Sequence, residues 1–304
     1  MINFTLKQLR YFEALARQGH FGRAAEMCAI SQPALSAQIA ALEAAIGLQL
    51  FERTARQVRL TPFGAQFAPR AREILRGAEG LQDMARAASG TALSRLRIGV
   101  IPTIAPYLLP SVIGHITAAH PQIDLMVRET MTHKLIEELG DGRLDCAIVA
   151  LPVSEPALTE VALFDEAMVL VRPAHDEGRP VPDMDTLAQM KLLLLEEGHC
   201  FRDQALSFCA LRNTLPREGL DGSSLTTLVQ MVGAGIGVTL IPEMAVPVEA
   251  RHAQVSIAAM GAPYPKRTVG MIWRRTSALA VQLEGIAELV RAAGLAHAGA
   301  RNGM

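Results

Sequence analysis

Residues 21–36 read FGRAAEMCAISQPALS, and this segment predicts how the first domain folds. A short run of helix-forming residues ends at a tight turn around Ala29, after which Ser31 can cap a second helix. Pro33 falls in the first turn of that helix, where its missing N–H costs little. The second helix buries one apolar face, made of Leu35, Ile39 and Leu42. Short helix, tight turn and capped helix predict a helix-turn-helix, whose second helix enters the major groove of DNA.

The opposite face of the second helix carries small and polar side chains, which allow it to approach another molecule closely. The residues expected to meet DNA there are Gln32, Pro33, Ser36 and Gln38. Farther along the chain, Arg53, Arg56 and Arg59 surround a short predicted hairpin, which indicates a wing that contacts phosphates. Taken singly, each arginine is better explained as a solvated surface charge. Together, beside a helix-turn-helix, they favour DNA binding.

Charge is distributed unevenly along the chain. Residues 1–95 contain 12 Lys and Arg against 7 Asp and Glu, and the remaining residues contain 17 against 23. A basic first part on an acidic body is typical of a nucleic-acid-binding module attached to a separate domain. Chance asymmetry would give the same numbers, so charge alone does not decide the question.

A long helix is predicted from Pro62 onward. Its apolar positions recur at steps of three and four residues, close to a heptad seam, at Phe63, Phe67, Ala71, Ile74, Ala78, Leu81 and Ala85. Such a seam fits a helix that pairs two chains, although a solitary helix packed on its own domain would show the same spacing. The polar, small residues 89–92 then predict a domain boundary.

The first 65 residues resemble the winged helix of the LysR-type transcriptional regulators. The stretches that carry the resemblance are residues 20–25, 31–36, 50–53 and 60–64, together with Phe12, Leu42, Glu43 and Gly47. The resemblance implies an all-α winged helix-turn-helix domain over residues 1–61, a linker and dimerisation helix over 62–90, and a regulatory domain over 91–304.

The regulatory domain alternates between strand and helix patterns. Strands are predicted at residues 96–101, 123–127 and 145–149 with helices between them, which argues for a parallel sheet covered by helices. Further strands at 169–171, 192–195, 237–242 and 269–273 and a helix over 279–293 complete a second α/β unit. Two such Rossmann-like subdomains resemble the effector domain of LysR-type regulators, which is related to periplasmic binding proteins. We place subdomain I at about 91–164 and 267–304, and subdomain II at about 165–266.

Ligands of such sheets bind beyond the carboxyl ends of the strands, which places Thr103 and Thr132 at the cleft between the subdomains. Residues 233–237 read GAGIG and superficially suggest a nucleotide site. They precede a strand instead of joining a strand to a helix, so a structural turn is the better interpretation.

Composition limits the class of protein. No apolar run reaches the roughly 18 residues of a membrane span, and the first residues show no secretory signal, so a cytoplasmic protein without a membrane partner is expected. Four cysteines in 304 residues are not a disulfide scaffold. Cys28 and Cys146 lie in an apolar helix and an apolar strand, which predicts buried structural thiols.

Cys200 and Cys209 lie together in an amphipathic segment, and Cys200 follows His199. If the segment is helical, their Cα atoms are roughly 13 Å apart at ~1.5 Å per residue. A disulfide needs about 7 Å or less, so oxidation would have to refold the segment. Cys200 lies at a predicted helix start, where the dipole lowers a thiol pKa. A thiolate there would react with peroxide to a sulfenic acid, with Cys209 as resolving partner.

Two other interpretations of these cysteines stay open. They could be ordinary core cysteines. They could also bind a metal with His199, although three ligands, two of them adjacent, make a poor chelate compared with Cys-x-x-Cys. No metal or cofactor is expected.

A narrower resemblance, to the peroxide-sensing branch of the LysR-type family, spans essentially the whole chain. It rests on residues 101–103, 106–110, 132–133, 144–146, 163–166 and 197–209. It implies that Cys200 is the peroxidatic thiol and Cys209 the resolving thiol. The residues expected to orient peroxide and stabilise the leaving hydroxide are Thr103, Thr132, His199, Asp203 and Arg267. Lys266 and Arg267 both stand where relatives carry a basic pair, so either could serve the thiolate.

The resemblance also implies partners. They are hydrogen peroxide, a dyad-symmetric operator in double-stranded DNA, RNA polymerase, a thiol reductant such as glutaredoxin or thioredoxin, and three further copies of the chain in a tetramer built as a dimer of dimers. The implied function is activation of antioxidant genes, switched by a reversible Cys200–Cys209 disulfide. The protein is not expected to be an enzyme. The rivals are a LysR-type regulator that binds a metabolite in the cleft, and a thiol peroxidase fused to a DNA anchor.

Overall fold

The computed structural model describes residues 3–53, 58–88, 93, 95–196, 222–261 and 264–299. Two compact units divide the chain, Met1–Ser89 and Gly90–Met304. Within the described residues, no helix is long and apolar enough to cross a membrane.

The first unit contains the predicted helix-turn-helix. Its elements are α1 (Leu6–Gln18), α2 (Phe21–Met27), α3 (Gln32–Ile46), β1 (Phe51–Arg53), β2 (Val58–Leu60) and α4 (Pro62–Ala88). The Ser31 hydroxyl accepts a hydrogen bond from the backbone N–H of Ala34, so it caps α3 as the sequence predicts. Ala29 adopts a φ of 53° in the turn before that cap. β1 and β2 pair antiparallel and form the predicted hairpin.

The core of this unit forms where the four helices and the hairpin meet. The Phe12 ring is fully buried, with its centroid 5.2 Å from that of Phe51 and 5.1 Å from that of Phe67. The Glu43 carboxylate on α3 accepts hydrogen bonds from the backbone N–H groups of Leu50 and Phe51 at 2.9 and 3.1 Å. This carboxylate therefore ties the start of the hairpin to the second helix of the helix-turn-helix.

The apolar seam of α4 divides into two parts. Phe67 packs edge-on against Phe12, and Ala71 is fully buried in the same core, so the first part of the seam is used within its own unit. Ile74 and Leu81 are instead 47% and 67% exposed. The spacing of apolar residues predicts one continuous surface over residues 63–85. Spacing alone does not show that the first turns of the helix already pack against the core of their own unit.

If the exposed part of the seam pairs two chains, as its spacing predicts, charges there should dissociate the oligomer and leave the first unit folded. We expect this of the double change Ile74→Glu and Leu81→Glu, since it would bury unpaired carboxylates between two chains. Sedimentation velocity and circular dichroism measure the two properties. Ala65→Glu is the matched control, because Ala65 is exposed and lies on the opposite side of α4 from Ile74. A double variant that keeps the wild-type sedimentation coefficient would contradict the assignment.

The second unit is built on a seven-stranded mixed sheet in the order β4-β3-β5-β9-β6-β7, with β8 also pairing with β6. Its strands are β3 (Arg95–Val100), β4 (Asp124–Glu129), β5 (Cys146–Leu151), β6 (Leu158–Pro173), β7 (Thr239–Pro242), β8 (Val255–Ala259) and β9 (Lys266–Arg274). Its helices are α5 (Ala105–Ala119), α6 (Thr132–Gly140), α7 (Met184–Gln189), α8 (Leu225–Gly233), α9 (Val246–Glu249) and α10 (Ala280–Gly299). β3, β4 and β5 are parallel, as their alternation with helices predicts.

β6 joins two groups of strands. Residues 158–167 pair antiparallel with β9, whereas residues 168–173 pair with β7 and β8. One continuous strand thus belongs to both subdomains, and the fold is the two-subdomain α/β architecture that the sequence indicates.

Two strand predictions differ from the structure. The sequence predicts only residues 169–171 of β6 as a strand. The charged Glu160, Asp165 and Glu166 interrupt the apolar pattern in the first part of the strand. Residues 192–195 were predicted as a strand, but they form only two isolated bridges, to Val238 and Gly222.

Candidate functional site

Thr103 and Thr132 lie where two neighbouring parallel strands end. Thr103 follows β3, and Thr132 is the first residue of α6, which follows β4. The backbone N–H of Thr130 donates to the carbonyl of Val100 at 3.2 Å, so the two strand ends are held side by side. The carboxyl edge of a parallel sheet is the usual place for a ligand, and here it presents two hydroxyl groups.

Arg267 reaches the same place from β9, and it is 2% exposed. Its Nη1 donates to the Thr103 hydroxyl oxygen at 2.9 Å, and its Nη2 donates to the Thr103 carbonyl at 3.0 Å. Its Nε donates to Glu166 Oε2 at 2.7 Å. The β6–β9 register sets Glu166 directly opposite Arg267, which makes this ion pair a cross-strand pair.

Lys266 points to the other side of β9. Its Nζ lies 2.6 Å from Asp165 Oδ2, and both side chains are about half exposed. Thr268 also donates to Asp165, and these bonds hold the pKa of that carboxyl below its usual value. Since side chains alternate along a strand, Arg267 is the member of the basic pair that contacts Thr103.

The hydroxyl hydrogens of both threonines are without an acceptor in the described part of the chain. A guanidinium only donates hydrogen bonds, so Thr103 Oγ1 must accept from Arg267, and its own hydrogen remains available. Thr132 Oγ1 is buried and has no hydrogen-bond partner among the described residues. A buried polar atom without a partner is costly, so Thr132 is a candidate hydrogen-bond donor to a small polar ligand.

A second buried contact joins the two subdomains next to this site. The Tyr107 hydroxyl on α5 donates to Glu249 Oε1 on α9 at 2.7 Å, and both residues are 7% exposed. Burial, and then the neighbouring Glu249 carboxylate, raise the pKa of Tyr107 well above its ordinary value. The phenol therefore stays protonated and keeps donating at any physiological pH.

Several predicted site residues lie outside the described residues. They are Arg56, His199, Cys200, Asp203 and Cys209.

The other two cysteines are described. Cys146 is fully buried, and burial raises the pKa of its thiol well above the usual value, which agrees with an unreactive structural thiol. Cys28 was also predicted to be buried, but it is only partly so, because it lies at the end of α2. Among the described residues, no group of three His, Cys, Asp or Glu side chains is arranged to hold a metal ion.

Comparison with known proteins identifies the family. The family model described as a bacterial regulatory helix-turn-helix protein of the lysR family matches residues 6–65, and the LysR substrate binding domain matches residues 89–294. OxyR of Escherichia coli strain K12, a DNA-binding transcriptional dual regulator, is 42% identical over 290 residues, which are 95% of each chain. The chain belongs to the OxyR branch of the LysR family.

Solved OxyR structures agree with this membership. Full-length OxyR from Pseudomonas aeruginosa, solved as a variant, is 37% identical, covers 95% of each chain and superposes with a TM-score of 0.75. A cysteine-to-serine mutant of Corynebacterium glutamicum OxyR, H2O2-bound, is 35% identical, covers 99% of this chain and 96% of its own, and superposes with a TM-score of 0.68.

As a LysR-family regulator, the protein binds DNA through its first unit. Three residues of the predicted contact face, Gln32, Pro33 and Gln38, are exposed on α3, and Ser36 is half-buried on the same helix. Arg53 ends β1, and its side chain is not among those that the structure describes. The exposed residues are thus free to contact bases.

Sequence reasoning assigned no role to Glu166, Tyr107 or Glu249, although all three lie in or beside the site of this OxyR-branch protein. The sequence signal that could have identified Glu166 is its position in an otherwise apolar strand. It directly follows Asp165, whose side chain lies on the opposite face of that strand. That signal is visible only when the full length of β6 is known. The Tyr107–Glu249 contact joins positions 142 residues apart, which no local pattern reveals.

Proposed function

We propose that this protein is a transcriptional regulator that senses hydrogen peroxide and activates antioxidant genes. The observation that carries the proposal is the buried Thr103 hydroxyl held by Arg267, with the unpartnered Thr132 hydroxyl at the end of the neighbouring strand, because O–H donors and a cation suit a small, polar, hydrogen-bonding ligand. The named function of relatives such as the hydrogen peroxide-inducible genes activator of Pectobacterium carotovorum, 41% identical over 94% of this chain, supports it.

The reaction that fits this site is a two-electron thiol oxidation. The Cys200 thiolate attacks one peroxide oxygen, an S–O bond forms as the O–O bond breaks, and the leaving hydroxide takes a proton and becomes water. The thiol is then a sulfenic acid, and the hydroxyls of Thr103 and Thr132 donate to the oxygen on which charge develops. His199 and Asp203 complete the set of residues that orient the peroxide.

The second thiol, Cys209, converts the oxidation of Cys200 into a conformational signal. The Cys209 sulfur attacks the sulfenic sulfur, a disulfide forms, and the oxygen leaves as water. The segment that carries both cysteines refolds, and the change reaches the DNA-binding units of a tetramer and its contact with RNA polymerase. A thiol reductant such as glutaredoxin or thioredoxin restores the dithiol. Each cycle consumes one peroxide molecule, and an external reductant must then restore the thiols. The protein therefore acts as a sensor and not as an enzyme.

Mass spectrometry tests the proposal directly. Stoichiometric hydrogen peroxide should convert the purified protein to a form that has lost two hydrogen atoms. After digestion, a single disulfide should link the peptides that contain Cys200 and Cys209. A protein that keeps four free thiols under these conditions, and whose DNA footprint shifts with a metabolite instead, would refute peroxide sensing. Steady-state peroxide turnover with a reductant would instead identify a thiol peroxidase.

The DNA contacts give a separate prediction. Arg53→Ala should weaken binding to all sequences and flatten its dependence on salt, because a phosphate contact is lost. Gln38→Ala should instead change the preference among operator variants by about 1–3 kcal/mol per affected base pair, because a base contact is lost. Fluorescence anisotropy with matched operators at several salt concentrations measures both effects. Indistinguishable effects of the two changes would contradict the assigned roles.

A further inference from the structure

We propose that Glu166 is a positioning residue for the peroxide site: it holds Arg267 in the orientation that donates to Thr103 and leaves the Thr103 hydroxyl hydrogen available to the ligand. This inference rests on the proposed function and adds a residue to its machinery.

The first step is the way in which Glu166 is held. Its Oε2 accepts from Arg267 Nε at 2.7 Å, and its Oε1 accepts from the backbone N–H of Met244 at 2.8 Å. Its side chain is 5% exposed, and that of Arg267 is 0% exposed. A carboxylate fixed through both oxygens has one orientation, and it therefore imposes one orientation on the guanidinium.

The second step is what this orientation does to Thr103. Because Glu166 occupies the Nε edge, the two Nη groups point at the Thr103 hydroxyl oxygen and carbonyl at 2.9 and 3.0 Å. One lone pair of the hydroxyl oxygen is thereby engaged by Arg267, and the hydroxyl hydrogen remains available to donate to a bound molecule. A guanidinium free to turn would no longer fix the orientation of the Thr103 hydroxyl.

The third step is electrostatic. A buried guanidinium without a counter-ion is strongly disfavoured, and Glu166 supplies the counter-charge across the strand pair. Asp165 is the natural comparison, because it neighbours Glu166 in sequence and also pairs with a basic residue of β9. Its partner Lys266 is exposed on the other face, away from Thr103.

The test compares Glu166→Gln with Asp165→Asn in the full-length protein. The amide introduced at position 166 can accept one of the two hydrogen bonds but not both, whereas the change at position 165 leaves the Thr103 side of the sheet untouched. The second-order rate constant for thiol oxidation by hydrogen peroxide is measured beside the rate of alkylation by iodoacetamide, a reagent that needs no peroxide-orienting hydroxyl.

We expect Glu166→Gln to lower the peroxide rate constant at least about fivefold without lowering the alkylation rate, and Asp165→Asn to leave both unchanged. A smaller fall in the peroxide rate, or an equal fall in both rates, would overturn the positioning role. A wild-type protein whose thiols react with peroxide no faster than free cysteine would overturn the proposed function, and this inference with it.

A second variant keeps the test meaningful if Glu166→Gln does not fold. Glu166→Asp keeps the charge but shortens the side chain by one methylene, so the buried ion pair survives in poorer geometry. It should fold and still lower the peroxide rate selectively. A folded Glu166→Asp protein with the wild-type ratio of the two rates would count against the proposal.

Discussion

Cys200→Ser should abolish the transcriptional response to hydrogen peroxide and leave DNA binding intact. The substitution removes the nucleophile, while the helix-turn-helix belongs to a separate compact unit with its own core. Reporter transcription with and without peroxide and anisotropy with operator DNA measure the two properties. The loss should be complete, because Cys146, the described thiol of the same unit, is buried and has a raised thiol pKa, which disfavours its thiolate.

Cys28→Ser is the matched control for this prediction. Cys28 is the partly buried thiol of the first unit, and burial together with nearby Glu13 raises its pKa. The variant should respond to peroxide as the wild type does. A Cys200→Ser protein that still activates transcription on peroxide treatment would place the sensing thiol elsewhere.

Arg267→Met should destabilise the second unit by about 3–5 kcal/mol, because it leaves the Glu166 carboxylate buried without its counter-ion. Urea unfolding followed by tryptophan fluorescence reports on this unit alone, since the single tryptophan, Trp273, is buried on β9. The peroxide rate constant should fall as well, because Thr103 loses the donor that orients it.

Two further variants isolate the cause. Lys266→Met removes the neighbouring exposed ion pair and should change the unfolding midpoint little, since exposed pairs contribute little. The double change Arg267→Met and Glu166→Met should recover much of the lost stability, because no buried charge remains unpaired. A double variant as unstable as the single one would show that packing, and not charge, is what Arg267 supplies.

The elements found correctly from the sequence are those with strong local signals. Ser31 and Pro33 mark the start of α3 because capping and proline geometry act within one turn, and the βαβ alternation locates β3, β4 and β5. Thr103 and Thr132 could be placed at one edge of the sheet because the carboxyl ends of parallel strands share an edge.

The parts that were missed depend on partners far away in the sequence. The start of β6 carries acidic side chains that disfavour a strand locally, but Glu166 is neutralised by Arg267, 101 residues later. The same distance explains why the choice between Lys266 and Arg267 stayed open: the register between β6 and β9 decides which of them is buried. In α4, periodicity predicts an apolar stripe but not that Phe67 already packs on Phe12.

The continuity of β6 has a mechanical consequence. Within the residues that the structure describes, the chain passes between the two groups of strands along β6 and between β8 and β9, and Glu166 and Arg267 stand at these crossings. If one group of strands rotates relative to the other, atoms near the crossings lie close to the rotation axis and are displaced little. Atoms at the far ends of the strands are displaced much more. Thr103, bonded to Arg267, lies near the centre of such a rotation. The contact between Thr103 and Arg267 can thus keep its geometry while the periphery of the same sheet moves.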